Sequence, residues 1–151
     1  MDFLSKNVEE TAQIAANFVT RLAGRQETLL AKQDFGATIV GLYGELGSGK
    51  TTFMKYLAES FGVPDTIQSP TFVIEKIYEL EKKIFKHLIH IDAYRIEKEK
   101  EMIDLGWNEI TADPKNLICI EWPEKISGIM PPHIVIKFDH VSETERKISI
   151  A

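Results

Sequence analysis

An α/β fold, one domain built on a mixed parallel and antiparallel sheet flanked by helices, is what this sequence predicts. Three observations predict it. Short apolar runs rich in β-branched residues recur at 36–43, 88–91 and 117–120, as strands buried on both faces do. Stretches with helical spacing or helix-like charge patterning lie before and between them, at 7–23, 51–61 and 96–105. A glycine-rich turn at 44–50 joins the first of those strands directly to a helix. The 151 residues are about one domain's worth of chain, and no repeat, linker or low-complexity tract divides them. Residues 1–151 are therefore read as a single domain.

Each element has its own signal. Val8, Ala12, Ala15, Val19 and Leu22 mark the apolar stripe of the first helix. Asn7 can cap it while Glu10 reaches back, and Gly24 is the expected stop. The strand at 36–43 comes next, then the glycine turn. A helix with Phe53, Met54, Leu57 and Phe61 on its buried side follows, ending at Gly62. Two prolines make 63–70 a loop. The runs 71–80 and 83–92 are too close for a crossover, so an antiparallel pair is expected. A charged helix over 96–105 should end at Gly106, and 117–120 is a further buried strand. Pro131 and Pro132 break the chain, and 133–140 with 147–150 alternate as a final hairpin.

Composition narrows the function. Hydrophobic residues make up 44% and charged residues 27%, ordinary for a globular chain and incompatible with disorder as its main state. One cysteine excludes an intrachain disulfide framework and a cysteine-rich zinc site. With 18 basic and 23 acidic side chains the net charge is −5, so no overall field draws the chain to nucleic acid. DNA binding is not expected, and contact with RNA would need a local patch or a partner. Lys82, Lys83 and Lys86 are such a patch, although a cluster of this kind is more often a solvated turn. No apolar run approaches the roughly 18 residues of a membrane span, and the acidic start lacks the apolar core of a secretory signal. A cytoplasmic protein without a membrane partner is expected.

The turn Gly44-Glu45-Leu46-Gly47-Ser48-Gly49-Lys50-Thr51 carries the strongest chemistry. It matches the Gly-x-x-x-x-Gly-Lys-Ser/Thr pattern of P-loop nucleotide-binding domains, with the required strand before it and helix after it. A triphosphate must be wrapped closely by backbone amides, and Cβ atoms at Gly44, Gly47 and Gly49 would obstruct that approach or forbid the backbone angles. The helix behind the turn points its positive end at the phosphates. Lys50 supplies a cation for the β and γ oxygens, and the Thr51 hydroxyl can hold Mg²⁺. Glu45, Leu46, Ser48 and Thr52 complete the expected nucleotide-binding turn. Glu45 itself, at a position tolerant of most side chains, is expected to face solvent.

A Mg²⁺–triphosphate site needs an acid where a neighbouring strand ends. Two strands end that way, Leu88-Ile89-His90-Ile91-Asp92 and Leu117-Ile118-Cys119-Ile120-Glu121. Asp92 is short and suits a hold on the metal, either direct or through water. Glu121 is longer and could polarise the attacking water or share the metal. His90, two residues from Asp92, is placed to orient that carboxylate or to be satisfied by backbone. Cys119 reads as a small core residue. Trp122 follows Glu121 directly and could lie beside the nucleotide. No Asn/Thr-Lys-x-Asp segment is present to read guanine, which favours ATP over GTP. The four arginines, at 21, 25, 95 and 146, are too few for the arginine-rich lid of a small kinase.

Four segments in order, Gly44 through Thr52, Ser69-Pro70-Thr71-Phe72, His90-Ile91-Asp92-Ala93-Tyr94-Arg95 and Glu121-Trp122-Pro123-Glu124, resemble the motifs of the TsaE (YjeE) family. These are bacterial ATPases of tRNA threonylcarbamoyladenosine synthesis. The resemblance covers nearly the whole chain and departs at Glu45, where aspartate is common. It implies that Lys50 and Thr51 bind phosphate and Mg²⁺, and that Asp92 assists the metal. It implies that 69–72 form a switch-like loop in which Thr71 senses the γ-phosphate. It further implies that Glu121 is needed for hydrolysis, that Trp122 lies near the nucleotide, and that the protein works on a TsaB–TsaD complex, meeting tRNA only indirectly. Two rival readings stand beside this partner-activated ATPase: a small-molecule kinase, and a nucleotide-gated binding module in which hydrolysis is incidental.

Overall fold

Alternation along the strands sorts the apolar side chains onto two faces, and helices cover both. The structure is a computed structural model and describes residues 1–30, 36–63, 74–81 and 84–151, with the backbone alone for 26–30. Its strands are β1 (Asp2–Ser5), β2 (Thr38–Tyr43), β3 (Glu75–Glu79), β4 (His87–Asp92), β5 (Asn116–Glu121), β6 (Ile134–His140) and β7 (Arg146–Ile150). Its helices are α1 (Val8–Leu30), α2 (Lys50–Ser60), α3 (Glu99–Asp104) and α4 (Trp107–Ala112), and a 3₁₀ segment runs over Pro123–Ile129. The strands form one sheet in the order β1-β7-β6-β2-β5-β4-β3. β2, β4, β5 and β6 are parallel, whereas β3 pairs antiparallel with β4, β7 with β6, and β1 with β7. The mixed α/β fold read from the sequence is the fold observed.

On one face Val40, Leu42, Leu88, Leu117, Cys119 and Ile136 pack against Ile14, Phe18 and Leu22 of α1 and Phe53, Met54 and Leu57 of α2. On the other, Ile39, Ile89, Ile91, Ile118 and Ile120 pack against Ile96, Met102, Trp107 and Ile126. Trp107 is core, with its indole Nε1 donating to the Ile129 carbonyl at 3.1 Å. Cys119 is fully buried, and burial pushes its thiol far above the ordinary range. That inertness agrees with a packing role.

Several elements differ from expectation, the main ones for a physical reason, and the strand expected over 83–92 begins only at His87. α1 runs through Gly24 to Leu30. A Cβ at Gly24 would meet nothing within 4 Å, so glycine there costs only its propensity, about 1 kcal/mol, which burying Leu22 and the stripe before it outweighs. Glu10 does reach back, but to the Lys6 N–H at 2.6 Å, while Asn7 Oδ1 caps the Glu10 N–H at 2.9 Å. α3 starts at Glu99, because Ile96 is drawn into the core and Glu101 Oε2 accepts from the N–H groups of Glu97 and Lys98 at 2.8 and 3.1 Å. Gly106 ends α3 at φ 91° and opens α4, a helix the sequence had not indicated. β1 was also unforeseen, since it exists only through pairing with β7.

One residue of the edge strand β3 is an acid half-buried without compensation among the described residues. Glu75 Oε1 is buried without a hydrogen-bond partner among the described residues, and burial raises the carboxyl above its usual range. An acid raised in this way supports folding below its unfolded pKa and withdraws that support as pH climbs through the folded value. Glu75→Gln should therefore raise the melting temperature at neutral pH, and the gain should vanish below about pH 4, where the unfolded glutamate is itself protonated. An equal shift at both pH values in paired thermal melts would contradict it.

Candidate nucleotide site

The site begins where β2 stops. Gly44, Gly47 and Gly49 adopt φ of 152°, 75° and 106°, and α2 starts at Lys50 directly behind them. A Cβ at Gly44 would fall 2.6 Å from Ser48 Oγ and 2.7 Å from the Phe138 carbonyl oxygen, so the turn closes only around glycine. The result is a run of backbone N–H groups at a helix N-terminus, an arrangement suited to anions. Ser48 Oγ is buried and has no hydrogen-bond partner among the described residues.

Lys50 is only 5% exposed. Its Nζ donates to the Gly44 carbonyl and lies 3.6 Å from the centroid of the Trp122 ring. Burial lowers the ammonium pKa, and the carboxylates of Glu121, Glu124, Asp92 and Glu45 oppose that shift. Trp122 reaches this position because the chain turns sharply after β5. It is the one non-glycine residue with positive φ among the described residues, at φ 60° and ψ 47°. Such a conformation costs on the order of 1–3 kcal/mol. The Tyr94 ring lies 5.1 Å away and inclined at 54°.

Parallel pairing brings the acids in beside the turn. Asp92 and Glu121 are direct register partners at the carboxyl ends of β4 and β5, and Leu42 partners Glu121 on β2. Ligands in open α/β sheets bind at that end. By alternation Glu121 shares the α2 face with Cys119, as Asp92 and His90 do with Leu88. Glu121 Oε1 accepts from the Thr51 hydroxyl at a long 3.3 Å, and its Oε2 lies 2.7 Å from His90 Nε2. Asp92 Oδ1 accepts from the Tyr94 N–H at 3.0 Å. The histidine's carboxylate partner is thus Glu121, across the sheet, and not Asp92 on its own strand. His90 stands in register with Cys119, so its reach to Glu121 runs diagonally across the β4–β5 pair.

A cleft of about 730 Å³ opens over these groups. It is lined by Leu46, Gly47, Gly49 and Lys50 through Thr52, with Asp92, Glu121, Tyr94 and Trp122. Lys6 through Glu9, Thr11, Glu143, Thr144 and Arg146 complete the lining. Sequence reasoning had no signal for this last group, because the β1–β7 pairing alone carries the chain start to the last hairpin. Arg146, the one arginine lining the cleft among the described residues, spends Nη1 on the carbonyls of Ser142 and Glu145 at 2.6 and 2.9 Å. Glu45 is exposed, as expected of it. Thr71, with the whole 69–72 segment, lies outside the described residues, as do Lys82 and Lys83. His133, given no role, binds the Tyr43 hydroxyl through Nε2 at 2.7 Å.

Residues 5–148 match the family model described as Threonylcarbamoyl adenosine biosynthesis protein TsaE. The chain belongs to the TsaE family. Among curated members, the tRNA threonylcarbamoyladenosine biosynthesis protein TsaE of Aquifex aeolicus is 34% identical over 117 residues, covering 76% of this chain and 77% of its own. The protein of the same name in Bacillus subtilis is 38% identical over 114 residues, covering 74% and 67%. The crystal structure of Bacillus subtilis YdiB superimposes with a TM-score of 0.70 at 26% identity, over 99% of this chain and 83% of that one. Membership places this chain in threonylcarbamoyladenosine biosynthesis. No helix among the described residues is long and apolar enough to cross a membrane.

Proposed function

We propose that this TsaE-family chain is a P-loop ATPase of low intrinsic activity. In this reading it supports threonylcarbamoyladenosine modification of tRNA in the cytoplasm by acting on the TsaB–TsaD complex. The observation that carries the proposal is the convergence of the glycine turn, Lys50 and Thr51 with Glu121 at the head of one cleft. The groups present fit a metal–triphosphate. The orphaned Ser48 hydroxyl and the glycine-only turn make an anion cradle, and Thr51, Asp92 and Glu121 offer the hard oxygen donors that Mg²⁺ prefers. Those three residues would hold the ion, and bound Mg²⁺ would neutralise charge on the phosphate oxygens.

The remaining steps belong to the chain. The turn's amides bind the β and γ oxygens, and Lys50 exchanges its bond to the Gly44 carbonyl for one to phosphate. Trp122, stacked on the Lys50 ammonium, closes that side of the cleft. Glu121 accepts a proton from the attacking water. Both of its oxygens are engaged by protein groups, which agrees with slow turnover until partners rearrange the site. Among the described residues one arginine lines the cleft, which argues against a small kinase with an arginine-rich lid over the phosphates.

The deciding measurement is the ATP hydrolysis rate of this chain alone, then with TsaB and TsaD, with tRNA added last. Slow turnover that rises with the partners is expected. Fast turnover indifferent to them, or none in any mixture, would overturn the proposal.

A further inference from the structure

We propose that His90 is the positioning residue of Glu121: it anchors one carboxylate oxygen so that the other faces Thr51 and the cleft. The proposal rests on the ATPase reading above and names the group that makes Glu121 competent within it.

Four observations support it. His90 is completely buried and Glu121 nearly so, at 0% and 3% exposure, so their 2.7 Å contact is made away from competing water. The contact is cross-strand, because His90 partners Cys119 and Asp92 partners Glu121 in the β4–β5 register. Both strands are central in the sheet, flanked by β2 and β3, so neither side chain can drift without moving the core. Finally, His90 Nδ1 is buried and has no hydrogen-bond partner among the described residues. A side chain present only to fill this space would be apolar and would leave no orphaned nitrogen. Among the described residues the imidazole's one hydrogen-bond partner is Glu121.

The division of labour follows from the carboxylate's shape. Oε2 is held by His90, while Oε1 takes the long, weaker bond from Thr51 at 3.3 Å. When the Thr51 hydroxyl turns to another ligand, Oε1 is released and Oε2 stays anchored. Without His90, Glu121 can rotate about its terminal torsion, which is broad and nearly two-fold, and the working oxygen loses its place. Groups that orient a catalytic carboxylate or metal ligand in this way typically cost about 10- to 100-fold when removed.

The test compares His90→Leu, His90→Gln and His90→Asn in the full chain with TsaB and TsaD. ATP affinity and maximal hydrolysis rate are measured separately. Glutamine can place an amide N–H near the Nε2 position, whereas asparagine reaches only the Nδ1 position. His90→Leu and His90→Asn should hydrolyse about 10- to 100-fold more slowly with ATP affinity within about threefold of the parent, and His90→Gln should recover most of the rate. A merely structural role would not separate the two amides, or rate from affinity. Should the leucine variant not fold, the Gln–Asn pair carries the comparison.

Long-range proton–nitrogen spectra of the parent chain add a readout that needs no turnover, since Glu121→Gln should shift the His90 Nε2 resonance. Equal rates for the parent, Leu and Asn variants, equal loss in Gln and Asn, or an unmoved Nε2 resonance would each overturn the positioning role while leaving the ATPase reading intact. A parent chain that hydrolyses no ATP with its partners would overturn both.

Discussion

Glu121→Gln is expected to bind ATP about as tightly as the parent chain and to hydrolyse it about 100- to 10,000-fold more slowly. The substitution keeps the shape of the side chain and one oxygen that can still accept from Thr51 or face Mg²⁺, beside the donors of Thr51 and Asp92, so the cleft and its nucleotide contacts should survive. What it removes is the charge and the basicity that take a proton from water. Isothermal titration with ATP and a single-turnover assay separate the two effects. The variant also decides between rival uses of the nucleotide. If it binds ATP and the TsaB–TsaD complex yet supports normal tRNA modification, hydrolysis is dispensable, and the chain works as a nucleotide-gated module. If modification fails with binding intact, the chemistry at Glu121 is what the complex needs.

Lys50→Ala should lose ATP affinity by about 30- to 150-fold, the equivalent of about 2–3 kcal/mol for a charge-assisted contact with phosphate. The loss should be in affinity, because Lys50 meets the β and γ oxygens in the bound state as well as during reaction. The fold should persist, since burying this ammonium already carries a desolvation cost that its carboxylate neighbours only oppose. Unchanged far-ultraviolet circular dichroism alongside weakened calorimetric binding is the expected pair of results. Unchanged binding would mean that the glycine turn does not hold phosphate. Trp122 fluorescence adds an independent check, since removing the ammonium 3.6 Å from its ring alters the indole's surroundings even without nucleotide.

Much of this site was legible in the sequence. The glycine turn could be read because backbone geometry forces it: at Gly44 only a residue without Cβ fits against Ser48 and Phe138. Asp92 and Glu121 could be read because each ends an apolar run, and period-two alternation then places both on the face that carries α2. His90 was half legible. Its presence beside a carboxylate was evident from spacing, but the spacing pointed along the strand to Asp92 and the contact runs across it to Glu121. Arg146, Glu143 and the residues around Asn7 gave no sign of facing the phosphate turn. They are polar residues near chain ends and turns, where solvent exposure is the ordinary outcome.

Local chemistry decided everything whose cause is local. The strand–turn–helix around residues 44–51, the buried strands and the acids at their ends follow from side-chain size, backbone freedom and periodicity, each a property of neighbouring residues. The tertiary structure alone decided strand order, cross-strand register and which residues from the two ends of the chain line the cleft. It also set the sharp backbone turn that lays Trp122 over Lys50. Those depend on contacts between residues distant along the chain, such as His90 with Glu121 and Gly49 with Arg146. The energies of such contacts are set by which elements pack together, and no pattern within a single segment carries that information.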